Sequence, residues 1–231
     1  DMMRAKLSTG IPGLDNLLGG GILEGHVVAV IGLYETGKTT LGLHFVYEGL
    51  KNGESCIIIS FNEDEESIVE NSKAIGMDLE QFKDKIQIVR LEAVEVKRNI
   101  EKIESELPEI INASNAKRML IDTVSVLETI FEDAERYKVL AMLRRMLKSA
   151  RITAIITSEA DKYNPNSSKY GLLEYICDGL ISLKVIRKSE LDEPILGIEV
   201  VKMRRTKHSR KPKPYAITEN GIVVFEEAEI F

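Results

Sequence analysis

From residue 27 to residue 31 the chain reads VVAVI, apolar at every position. A strand with one wet face would alternate. An unbroken run predicts a strand buried on both faces, as in a parallel sheet covered by helices. The signature returns in SCIIISF (55–61) and ITAIITSE (152–159), and KIQIVRL (85–91) and KRMLID (117–122) read as further strands. Between these runs, apolar residues recur at helical spacing. Leu41 and Phe45 mark a helix over 37–50, and a helix over 65–75 stops at Gly76. A long polar helix over 94–112 carries Ile100, Ile103, Leu107 and Ile111, with Pro108 expected to break it. Leu140, Leu143 and Leu147 mark a helix over 132–150. Strands alternating with helices predict an α/β fold with a doubly wound, mostly parallel central sheet flanked by helices.

After residue 160 the rhythm changes. DGLISLKVIRK (178–188), LGIEVVKMR (196–204) and PYAITENGIVVF (214–225) read as three strands with no helix between them. They are expected to be antiparallel C-terminal edge strands. The polar, turn-rich DKYNPNSSKYG (161–171) is expected to be a mobile loop near the carboxyl ends of the strands.

Composition narrows this picture only a little. The 231 residues suit one α/β domain over 1–231. The formal charge of −6 gives no bulk attraction for nucleic acid. Cys56 and Cys177 lie far apart without metal-ligand spacing, which fits a reducing compartment. No charged-then-apolar leader or membrane-length apolar run is seen, and a cytoplasmic location is expected. Asp1 ahead of Met2 reads as an added or trimmed start.

The chemistry concentrates in VIGLYETGKTTLGLHF (30–45). Gly32-x4-Gly37-Lys38-Thr39 has phosphate-loop spacing, and it sits between a predicted strand and a predicted helix. The two glycines permit a tight backbone whose N–H groups turn inward on an anion. Lys38 supplies a point charge for the outer phosphates, and the Thr39 hydroxyl faces Mg2+. Thr36 and Thr40 complete the candidate nucleotide contacts. Asp122, closing a buried strand, is the expected second metal residue, acting through water. The competing readings are a glycine turn that caps a helix and an aspartate that caps a turn. Glu35 puts a negative charge inside this loop. At 8 Å from phosphate it costs about 2 kcal/mol at an effective dielectric of 20, so its side chain is expected to face outward.

Taken together, these residues resemble the KaiC-like branch of the RecA superfamily. The resemblance runs through STGIPGLDNLLGGGILEG (8–25), SFNEDEESI (60–68), LIDTVSVL (120–127) and YGLLEYICDGLISL (170–183), and ends in VVKMRRTKHS (200–209) and YAITENGIVVF (215–225). It implies a RecA-like P-loop NTPase fold that binds ATP and Mg2+ between subunits of a homo-oligomeric ring, often a hexamer. It implies that Lys202 and Arg204 reach the γ-phosphate of the neighbouring subunit's ATP, and that Thr206 and His208 lie near its base and ribose. The residues alone offer a basic stretch, Lys202 to Lys213, in an acidic protein, with phosphate as its obvious partner and a charged edge strand as the competing reading. The family usually carries two consecutive glutamates after the second strand, one of them the general base. Here the pair reads Asn62-Glu63, leaving Glu63 as the candidate base. If the lost carboxylate is the essential one, hydrolysis slows by about 10²–10⁴-fold.

The reading that follows is an ATP-binding protein, a weak Mg2+-dependent ATPase whose nucleotide state controls oligomer or partner interactions. Two alternatives stand beside it: a recombinase paralogue binding single-stranded DNA, disfavoured by the net charge, and a non-hydrolysing nucleotide sensor. Glu174-Tyr175 occupies the place of the adjacent hydroxyls that clock members phosphorylate, so clock-type autophosphorylation there is not expected.

Overall fold

A computed structural model describes residues 4–230. Asp1, with the reading of it as an added or trimmed start, lies outside the described residues. In chain order the elements are β1 (Lys6–Leu7), α1 (Pro12–Leu17), β2 (Ile22–Leu23), β3 (Val27–Gly32), α2 (Lys38–Lys51), β4 (Cys56–Ser60) and α3 (Glu65–Ala74). A 3-10 turn (Leu79–Phe82) leads to β5 (Ile86–Arg90), α4 (Ala93–Arg98), α5 (Ile100–Ser114), β6 (Arg118–Asp122), α6 (Ser125–Ile130), α7 (Asp133–Ser149) and β7 (Thr153–Glu159). The chain closes with α8 (Leu173–Ile176), β8 (Gly179–Ile186), β9 (Ile195–Met203), β10 (Lys213–Thr218) and β11 (Gly221–Val224).

Among the described residues the main sheet has nine strands, in the order β11-β10-β9-β8-β3-β7-β6-β4-β5. From β5 to β8 the neighbours run parallel; β9, β10 and β11 add on antiparallel. The continuous apolar runs follow from the two cores that the sheet separates. Val27, Ala29, Ile31, Ile57, Ile59, Ile121 and Ile156 pack with Leu107, Leu140, Leu143 and Leu147 of α5 and α7. Val28, Val30, Ile58, Leu120 and Ile155 pack on the other face with Leu41, Phe45 and Leu50 of α2. In the central strands β3, β4, β6 and β7 successive residues therefore bury on opposite sides, whereas the edge strand β5 leaves Gln87 and Arg90 exposed. Among the described residues no helix is long and apolar enough to cross a membrane.

Two expectations are corrected. The single helix over 94–112 is two, divided at Asn99 (φ −126°, ψ 46°), and Pro108 lies inside α5 without ending it. Leu107 and Ile111 flank that proline and are both buried, so packing holds the turn that Pro108 weakens. The last predicted strand, 214–225, is a hairpin: Glu219-Asn220 joins β10 to β11, with Gly221 at φ 96°. The segment 161–171 is a loop with hydrogen bonds to β7 and β9 and an exposed tip at Tyr163. Asp161 N–H donates to the Ser167 carbonyl (2.8 Å), Lys169 N–H to the Glu159 carbonyl (3.0 Å), and Asn166 to the Glu199 carboxylate (3.0 Å).

Candidate nucleotide site

Parallel register brings the carboxyl ends of β3, β4, β6 and β7 to one edge of the sheet. Gly32 lies beside Glu159, and Ser60 beside Asp122. The loop leaves β3 at Gly32 and enters α2 at Lys38. Backbone crowding explains its glycines. A Cβ on Gly32 would sit 2.4 Å from Thr36 Oγ1, and Gly37 adopts φ 94° with a Cβ position 3.1 Å from Ile217 Cδ1.

Lys38 is folded onto its own loop. Its Nζ donates to the Gly32 carbonyl (2.8 Å) and the Leu33 carbonyl (3.2 Å). Burial holds its ammonium pKa below the ordinary value, against the raising influence of Glu159 and Asp122. Thr36 is buried, and its hydroxyl donates to the Leu33 carbonyl (2.8 Å). Thr39 Oγ1 lies 3.0 and 3.1 Å from the two Asp122 carboxylate oxygens. Asp122 also accepts from the Thr157 hydroxyl (2.5 Å). Burial pushes the Asp122 pKa up, and the hydrogen bonds from Thr157 and Thr39 offset part of that. Thr40 stands half-buried in the first turn of α2. Glu35 is exposed, in the left-handed region at φ 61°, with Tyr34 beside it 87% exposed. The acidic side chain points to solvent, as expected.

Glu63 lies just past β4 on the same edge, half-buried. Its N–H donates to Ser60 Oγ (3.0 Å), and its carboxylate accepts from Asn71 at 3.4 Å. Asn62 is exposed.

The basic set is elsewhere. Leu183 is the β8 residue beside Gly32, whereas Gly179, four residues earlier, pairs with Met203. Lys202 and Arg204 therefore sit at the opposite end of the sheet from the loop. Lys202 Nζ donates to the carbonyls of Glu174 (2.6 Å) and Cys177 (3.1 Å), and burial lowers its pKa. Arg204 lies 3.6 Å from the Asp178 carboxylate. With His208 and Arg210 they line an open groove of about 390 Å3. Thr206 Oγ1 is buried without a hydrogen-bond partner among the described residues, and His208 Nδ1 is 2.9 Å from the Ser209 carbonyl. The structure thus gathers Gly32, Lys38, Thr39, Asp122 and Glu63 on one edge and Lys202, Arg204, Thr206 and His208 at the other.

Two residues near the loop escaped the sequence reading. Glu159 closes β7 as Asp122 closes β6, and a strand-end carboxylate was its visible signal. Tyr215 donates its hydroxyl to the Thr36 carbonyl (2.6 Å) across 179 positions, which no local pattern announces.

The donor chemistry fits a nucleotide with magnesium. Hydroxyl and carboxylate oxygens suit a hard cation that keeps most of its waters. The glycine-bounded loop offers backbone N–H groups and one ammonium to phosphate.

A phosphate loop between a buried parallel strand and a helix, facing a strand-end aspartate on this sheet, defines a P-loop NTPase of RecA fold. The chain belongs to the KaiC family of ATPases: the family model for KaiC matches residues 7–229. It is 34% identical over 231 residues to the circadian clock protein KaiC2 of Synechocystis, covering 95% of this chain and 40% of that protein. It is 30% identical to UPF0273 protein PH0284 of Pyrococcus horikoshii, covering 97% of this chain and 96% of that one. The chain thus spans less than half the length of the clock relatives and nearly the whole of the archaeal one. The crystal structure of the KaiC-like protein PH0186 from Pyrococcus horikoshii OT3 superposes with a TM-score of 0.84 at 32% identity, covering 96% of this chain and 99% of that one.

Proposed function

We propose that this chain binds ATP with Mg2+ in the 32–39 loop, hydrolyses it slowly, and uses the nucleotide to join copies of itself. The observation that carries the binding step is the convergence of Lys38, Thr39 and Asp122, with Thr39 within 3.1 Å of both carboxylate oxygens. Thr39 and Asp122 would hold the metal, Asp122 through water. When bound, magnesium neutralises charge on the phosphate oxygens. Lys38 leaves the Gly32 and Leu33 carbonyls to meet the outer phosphates. Glu63 accepts a proton from the attacking water, and with Asn62 beside it one carboxylate does this work without a second.

The placement of the basic strand supports the self-association. Four residues of strand separate the Gly32 level from the Met203 level, about 13 Å before side chains are counted. Lys202 Nζ is moreover turned onto the Glu174 and Cys177 carbonyls. One chain cannot bring these cations to its own loop; a neighbouring copy's loop can meet them, with Thr206 and His208 beside its nucleoside. A homo-oligomeric ring, with a hexamer as the family-like case, is the assembly this suggests.

Lys38→Ala is expected to abolish ATP binding in equilibrium dialysis with Mg2+, and unchanged affinity in that variant sinks the reading. Light scattering with and without ATP and Mg2+ tests the assembly. A non-hydrolysing sensor is the second reading, favoured by the exposed amide of Asn62 beside Glu63. It predicts bound ATP without released phosphate, and Asn62→Glu then restores turnover.

A further inference from the structure

We propose that the β10–β11 hairpin is a brace for the phosphate loop, with Tyr215 as a positioning residue for nucleotide binding; this rests on the nucleotide-binding reading of the loop.

Tyr215 is buried and its hydroxyl donates to the Thr36 carbonyl at 2.6 Å. In a planar trans peptide the carbonyl and the following N–H point opposite ways. Drawing the Thr36 carbonyl toward the hairpin therefore aims the Gly37 N–H away from it, toward the side where the loop would meet phosphate. Two further contacts come from the same hairpin. Ile217 and Ile222 close over Gly37, with Cδ1 atoms 3.1 and 3.4 Å from where a Cβ would stand. The Ile222 N–H donates to His44 Nε2 on α2 at 3.0 Å. The hairpin thus holds the loop and the helix behind it at once.

The hold has more value with ligand than without. In the free chain Lys38 also pins the loop, through the Gly32 and Leu33 carbonyls. Reaching phosphate requires Lys38 to release them. Tyr215 then remains as a tie on the loop from outside it. Removing its hydroxyl should cost the bound state more than the free one, by about one net hydrogen bond, or about fivefold in affinity.

The test is titration of ATP with Mg2+ into the wild-type chain and Tyr215→Phe, with thermal unfolding of both ligand-free proteins and amide exchange over residues 33–37 in the bound state. We expect the dissociation constant to rise about fivefold, unfolding temperatures within a few degrees of one another, and faster exchange in the loop of the variant. Wild-type binding with an unchanged constant in Tyr215→Phe overturns the brace and leaves the nucleotide reading intact. A wild-type chain that does not bind ATP overturns both. Should Tyr215→Phe fail to fold, His44→Leu removes the other polar tie; it should weaken ATP binding in the same direction, and unchanged binding there also overturns the brace.

Discussion

Glu128 carries its carboxyl into a fully buried site, where Oε1 accepts from the Ser158 hydroxyl and Oε2 has no partner among the described residues. Burial pushes its pKa up to about 7, with Glu174 and Glu159 adding to the rise and Ser158 and Arg136 opposing it. A raised carboxyl pKa favours the folded state while the group is neutral. That contribution is complete below pH 4.5 and is lost as pH climbs through 7. Glu128→Gln should therefore gain up to about 3 kcal/mol over wild type at pH 8, with the gap closing at pH 4.5, measured by urea unfolding. His44 behaves in the opposite sense. Burial lowers its pKa to about 4, with Lys51 adding to the fall and Glu48 opposing it, and the unprotonated Nε2 accepts from the Ile222 N–H. Its contribution is present above pH 6.5 and is lost as pH falls toward 4. A His44→Gln chain, which can still accept there, should show its stability deficit against wild type shrink over that interval. Glu35 is the third residue with a distinct expectation. Its exposed carboxylate still adds negative potential near the loop, so Glu35→Gln should tighten ATP binding about twofold to fivefold at low ionic strength, with the gain fading as salt screens it.

At the scale of the element, α5 shows packing overriding local preference. Pro108 removes one helix hydrogen bond, yet the helix passes through it because Leu107 and Ile111 are buried on the sheet. Pro108→Ala should therefore raise stability by about 1–3 kcal/mol without altering the fold, read as a higher urea midpoint. The central strands were legible because parallel strands covered on both faces carry long apolar runs, whereas β5 at the sheet edge leaves Gln87 and Arg90 exposed. The hairpin at 213–224 looks like one strand along the sequence because Glu219-Asn220 is a short turn inside an otherwise strand-like segment. Its Asn-Gly step was the signal available. The short helices α6 and α8 carry too few turns to establish a period.

For the whole molecule, the separation of the loop from Lys202 and Arg204 makes a prediction that no single site could. The double variant Lys202→Ala, Arg204→Ala should retain ATP binding by the isolated chain and lose nucleotide-dependent assembly and the turnover that goes with it. Equal light-scattering profiles for variant and wild type would contradict the trans role.

The sequence by itself determined the parallel core, the phosphate loop and the aspartate opposite it. Each is written in residues whose chemistry is local: continuous apolar runs, glycines flanking a lysine, a carboxylate closing a strand. Only the tertiary structure decided that Lys202 and Arg204 stand at the far end of the sheet, that Tyr215 holds the Thr36 carbonyl, and that Glu128 is sealed behind β7. Those facts depend on strand order and register, which bring together residues tens to nearly two hundred positions apart. Periodicity along the chain records which side of an element is buried, not which other element will cover it.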